Sequence, residues 1–104
     1  MSGFSDGKEL DIARNIKLIE ELKGSILTDI ANLYVHMAKA HSQREEIEDD
    51  IAEVIINTYL LSSRLGLNCS DIEELVVKKL KIRLLKEGAL DFDIKEILDY
   101  FEGQ

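Results

Sequence analysis

Thr28-Asp29-Ile30-Ala31-Asn32-Leu33-Tyr34-Val35-His36-Met37 and Asp49-Asp50-Ile51-Ala52-Glu53-Val54-Ile55-Ile56-Asn57-Thr58 repeat one another position for position. The shared pattern is Asp-Ile-Ala-polar-apolar, with a second polar residue four places after the first. At 3.6 residues per turn, Asp29, Asn32 and His36 fall on one narrow stripe beside an apolar helical face. Asp50, Glu53 and Asn57 take the same stripe in the second copy. Upstream, Leu10, Ala13, Ile16, Ile19, Leu22 and Ile26 continue the apolar face of the first copy through Ile30, Leu33 and Met37. Their spacing of three or four residues predicts one helix of about 30 residues, with Gly24 its single weak point.

Start and stop signals divide the rest. Asp6 with Glu9 makes a capping box for the first helix, and Ser42 with Glu45 makes one for the second. The second helix is expected from about Gln43 to Leu65, ending at Gly66, which can take the left-handed conformation of a helix C-terminus. Ser70 with Glu73 opens a third helix that carries Lys78, Lys79, Lys81, Arg83 and Lys86 toward its dipole-negative end before Gly88. Asp93 with Glu96 opens a short last helix. The connector Ala40-His41-Ser42-Gln43 is short enough to demand antiparallel packing of the first two helices. The expected fold is therefore all-α: a helical bundle of two long antiparallel helices, a third helix and a short C-terminal helix. It forms one domain over residues 1–104, with 1–7 and 103–104 as frayed tails.

Composition agrees and excludes several functions. The 104 residues include no proline and six glycines, so little interrupts long helices. Thirteen basic residues against twenty-one acidic ones give a net charge of −8, which repels a phosphate backbone and argues against nucleic acid as a partner. Cys69 stands alone and cannot form an intrachain disulfide, and the opening Met1-Ser2-Gly3-Phe4-Ser5-Asp6 lacks the basic and apolar regions of a secretion signal. No apolar run approaches the roughly 18 residues that cross a bilayer, so membrane insertion is not expected and the location read from the sequence is cytoplasmic. Between Ile47 and Leu65, apolar residues spread around most of the helix circumference, which predicts burial from several directions, either in a homodimer or higher oligomer or at the centre of a monomeric bundle.

Oxygen side chains at i and i+3 on two facing helices suit a hard divalent cation, because Mg²⁺ takes oxygen ligands and completes its shell with water and phosphate. Asp29, Asn32, Asp50 and Glu53 would supply three carboxylates and one amide. The plainer reading is that these acids lie on solvated flanks, as most do in an acidic chain. His36 and Asn57, on the same stripes, are candidates for a supporting role; a histidine at a core edge is more often a packing residue. Tyr34 and Tyr59 read as core or interface aromatics, and Cys69 has no spaced partner to activate it.

At these residues the chain resembles a known family. Asp49-Asp50-Ile51-Ala52-Glu53-Val54-Ile55-Ile56, running on to Leu61-Ser62-Ser63-Arg64-Leu65-Gly66-Leu67-Asn68, resembles the signature helix of MazG-like all-α nucleotide pyrophosphohydrolases. There a Glu-x-x-Asp pair precedes an apolar stretch and a terminal Leu-Gly turn. Asp11-Ile12-Ala13-Arg14-Asn15-Ile16-Lys17, with Ile19-Glu20-Glu21-Leu22-Lys23 and Tyr59-Leu60-Leu61, is similar to a small bacterial MazG-like subgroup of unassigned activity.

The resemblance implies a dimer or tetramer of packed helices and a Mg²⁺-dependent (or Mn²⁺-dependent) hydrolysis of nucleoside triphosphates to monophosphate and pyrophosphate. In the family's pattern one Glu-x-x-Glu pair and one Glu-x-x-Asp pair hold the metal. Asp50 and Glu53 match the second pair with their lengths exchanged, and Asp29 and Asn32 match the first. Asn32 departs from the pattern, because a neutral amide attracts a dication less than a carboxylate does. The family's Lys, followed four places later by Asn, maps to Lys79 and Arg83, which keeps the lysine and loses the asparagine. Asp29, Asp50 and Glu53 are then the candidate catalytic residues, and Lys79 and Arg83 the candidate phosphate contacts. The alternative is a catalytically degenerate module that kept the helices and the dimer surface without turnover.

Overall fold

With no proline in the chain and Gly24 the single glycine between Lys8 and Met37, nothing stops the first helix once it has begun. The computed structural model describes residues 3–41, 43–86 and 88–103, with the side chains of residues 3–6 and 8 outside the described set. It is all-α among those residues: α1 (Gly3–Met37), α2 (Arg44–Arg64), α3 (Cys69–Leu84) and α4 (Asp91–Glu102). None of these helices is long and apolar enough to cross a membrane.

Helix boundaries differ from expectation at the N-termini. α1 is already helical at Gly3, so Asp6 lies inside it rather than at its cap, and residues 3–7 are helix rather than tail. Ser42 lies outside the described residues; the N-cap of α2 is Gln43, without a side-chain cap hydrogen bond. α3 starts at Cys69 behind Asn68, and α4 at Asp91 behind Leu90, which places Ser70 and Asp93 inside their helices. Acidic residues in the first turns nevertheless favour each start through the helix dipole: Glu45 and Glu46 in α2, Asp71 in α3, and Asp91 and Asp93 in α4. The dipole does the capping that hydroxyls and carboxylates were expected to do.

The C-terminus of α2 follows expectation closely. Gly66 has φ +80°, and its N–H bonds the Ser63 carbonyl at 3.1 Å while Leu65 reaches Leu61 and Ser62. α3 ends earlier than expected, at Leu84 and well before Gly88.

Residues 1–66 and 67–104 form two compact units. In the first, α1 and α2 pack as a hairpin. Asn57 of α2 bonds Asp29 of α1, and Asp50 bonds His36, so positions rise along one helix as they fall along the other and the pair is antiparallel. Thr58 and Ser62 turn their hydroxyls back onto the Val54 and Thr58 carbonyls at 2.6 and 3.0 Å, which keeps both polar groups satisfied inside a helix. Asn15 Nδ2 donates to the Arg64 carbonyl at 3.2 Å and ties the end of α2 to α1. In the second unit α3 and α4 bury Leu80 and Leu98, and Lys81 pairs with Glu102 at 3.3 Å.

The two glycines make opposite tests of this backbone. A Cβ at Gly24 or at Gly66 meets no atom within 4 Å. Gly24→Ala should raise stability by roughly 0.5–1 kcal/mol through helix propensity. Gly66→Ala should lower it by about 1 kcal/mol, because a left-handed φ strains any side chain. Urea unfolding of the two variants beside the parent chain checks both signs.

Candidate functional site

The repeated stretches face each other across the α1–α2 hairpin, and two polar pairs join them. Asn57 Nδ2 donates to Asp29 Oδ2 at 2.7 Å, and His36 Nδ1 lies 2.5 Å from Asp50 Oδ2. The carboxylate has no hydrogen to give, so the imidazole donates from Nδ1. Each pair joins the first position of one copy to the last polar position of the other. The internal repeat of the sequence thus becomes a local two-fold arrangement of the hairpin.

That register separates the carboxylates expected to share a metal. Asp29 and His36 are seven residues apart on α1, as are Asp50 and Asn57 on α2, which puts the two pairs about 10 Å apart at 1.5 Å of rise per residue. Asp50 sits at the His36 level and Asp29 at the Asn57 level. Among the described residues no group of three or more His, Cys, Asp or Glu side chains is placed to hold a metal ion. The expected quartet of Asp29, Asn32, Asp50 and Glu53 is therefore not gathered at one point within this hairpin.

The four residues have different surroundings. Asp50 is buried, at 7% exposure, against His36, which is partly buried. Asn32 and Glu53 are exposed, and Asp29 and Asn57 are half-buried. Glu53, Asp29 and Asn57 nonetheless line one open cavity of about 730 Å³, together with Glu21, Gly24, Ser25 and Thr28. Its side-chain donors are three carboxylates, two hydroxyls and one amide, and the three carboxylates are not placed to share one ion. Glu21 and Thr28 lie outside the candidate site residues that the sequence suggests. Extending the acidic stripe back from Asp29 by two turns reaches Glu21, so the signal was present in the spacing.

The remaining candidates lie elsewhere. Lys79 is exposed on α3 in the second unit, and Arg83 lines a small cavity there with Lys86, Ala89, Leu90 and Ile94. Cys69 is a free, exposed thiol, and Tyr34 is exposed on α1. His36 also borders a cavity at the hairpin turn with Lys39, His41 and Arg44, and Arg44 lies 3.8 Å from Glu48.

The partly buried His36–Asp50 pair should hold the hairpin in register. Asp50→Ala leaves a donor without its acceptor and should cost about 1–3 kcal/mol. Adding His36→Ala should cost less than the two single changes combined, by on the order of 1 kcal/mol. The exposed Glu53→Ala should stay within about 0.5 kcal/mol of the parent. Additive losses at His36 and Asp50 in urea unfolding would contradict the pairing.

Comparison with known proteins adds one match. The profile of the MazG-like family matches residues 12–97, covering α2 and α3 whole and most of α1 and α4. None of the curated proteins and none of the solved structures compared with the chain matches it. The matched span includes both repeated stretches and the cavity between them, and the chain belongs to the MazG-like family.

Proposed function

We propose that the α1–α2 hairpin is the active surface of a hydrolase that cleaves nucleoside triphosphates to monophosphate and pyrophosphate with Mg²⁺ or Mn²⁺. One observation carries this reading: carboxylates from both repeated stretches, Asp29 and Glu53, border a single open cavity that also receives Asn57 and Thr28. Asp29 and Glu53 would hold the cation, with the Glu21 carboxylate within the same cavity. Bound there, the ion would neutralise phosphate charge and make a water more acidic.

The side chains divide the remaining work. Glu53 makes no ion pair among the described residues, which leaves its carboxylate open to a metal or to a water proton. Asn57 fixes the orientation of Asp29 through the 2.7 Å bond. His36 fixes Asp50, whose role is positioning: it is buried and already bonded. Lys79 and Arg83 remain candidates for phosphate contacts.

A second copy of the chain is the natural cover for the hairpin. Ile12, Ile16, Leu27 and Val35 on α1, with Ile55 and Ile56 on α2, are each at least half exposed, and such a surface calls for a partner. Light scattering should give two or four times the chain mass, and a monomer at micromolar concentration would contradict this assembly.

The second reading, a helical module without turnover, draws on the exposed neutral Asn32 and on the engagement of Asp50 by His36. Pyrophosphate release from a panel of nucleoside triphosphates with Mg²⁺ separates the two. The hydrolase reading expects turnover that falls on the order of 100-fold in Glu53→Ala, about 2.7 kcal/mol of transition-state stabilisation. No turnover with either metal, or turnover indifferent to Glu53→Ala and Asp29→Ala, would favour the module.

A further inference from the structure

A second cavity on the hairpin, of about 480 Å³, adjoins the acidic one and differs from it in character. Leu18 and Leu22 of α1 and Leu60 of α2 form its apolar walls, and Glu21, Ser63 and Arg64 its polar rim. The two cavities share Glu21 and Ser25, so they adjoin along the hairpin. Leu22 and Asp29 are seven residues apart on α1, about 10 Å of helix rise. An apolar slot with a few polar groups at its edge, set a nucleoside's length from a cluster of oxygen donors, has the form of a small-molecule site rather than of a bare packing gap.

Its two charged groups are of opposite sign, and Arg64 is partly fixed. Arg64 Nη1 lies 3.4 Å from Asn15 Oδ1, and its own carbonyl accepts from Asn15 Nδ2. Among the described residues one of its five guanidinium donors is engaged, at Asn15. Glu21 stands 4.0 Å from Lys17 Nζ, an exposed and weak pairing that a ligand can replace.

We propose that this slot holds the base of the nucleotide and selects guanine. The proposal rests on the nucleotide reading above and adds the base. A carboxylate needs two adjacent donors, which guanine offers at N1–H and its exocyclic amine. A guanidinium needs two adjacent acceptors, which guanine offers at O6 and N7. Uracil has one ring N–H between two carbonyls that would repel Glu21. Adenine and cytosine each present one exocyclic amine beside a ring acceptor. Guanine alone satisfies both charged groups of the rim while its faces lie against leucine.

The test compares pyrophosphate release from GTP, ATP, CTP and UTP with Mg²⁺, in the parent chain and in Glu21→Gln. In parallel, guanosine and adenosine are titrated without metal while the methyl resonances of Leu18, Leu22 and Leu60 are followed. The expected result is a kcat/KM for GTP at least about tenfold above that for ATP, narrowing to within about threefold in Glu21→Gln. Turnover with no base preference, or with preference for another base, overturns the guanine assignment and leaves the hydrolase reading standing. No turnover, with methyl shifts for guanosine and none for adenosine, upholds the slot and removes the hydrolase reading. Absence of both turnover and shifts overturns both.

Discussion

The register of α1 against α2 is the constraint on which the rest depends, and two polar pairs set it. A helix hairpin packed by aliphatic side chains alone can slide by a turn at little cost, because leucine and isoleucine fit many holes. Asp29 with Asn57 and His36 with Asp50 remove that freedom. A slip of one turn would strand two carboxylates, an amide and an imidazole at the edge of the core, and each stranded group costs a desolvation penalty of roughly 1–3 kcal/mol. The polar pairs therefore specify an arrangement that the apolar face favours in general terms.

The layout of the candidate site follows from the same register. Because the pairs sit two turns apart, Asp29 and Asp50 serve different levels of the hairpin. The open cavity falls to Asp29, Glu53 and Asn57, while Asp50 becomes part of the support. Glu21 and Ser25 border both this cavity and the leucine-walled slot beside Arg64. An apolar and an acidic stretch thus adjoin on the hairpin.

The sequence made the helices legible because their apolar spacing is unbroken and because Gly66 has the backbone conformation that few other residues tolerate. The repeat around Asp29 and Asp50 was legible too, and so was the antiparallel pairing, from the short connector. Which stripe residues would meet was not, since periodicity gives a face and leaves the register open. Asp50 and Glu53 look equivalent at i and i+3, yet one is buried against a histidine and the other exposed at a cavity. The helix starts were misjudged for a related reason: any Ser or Asp with Glu three places on satisfies the pattern, and in a chain so rich in acids such pairs arise inside helices as readily as at their ends.

The proposed cation site draws on both repeated stretches, at the cavity bordered by Asp29 and Glu53. Paramagnetic broadening by Mn²⁺, read from backbone amide resonances of the whole chain, tests it most directly. A cation held there gives broadening centred on Thr28, Asp29, Glu53 and Asn57, relieved by excess Mg²⁺ and abolished in Glu53→Ala. Broadening centred on the acidic run Glu45 to Asp49, or none at millimolar Mn²⁺, would contradict it.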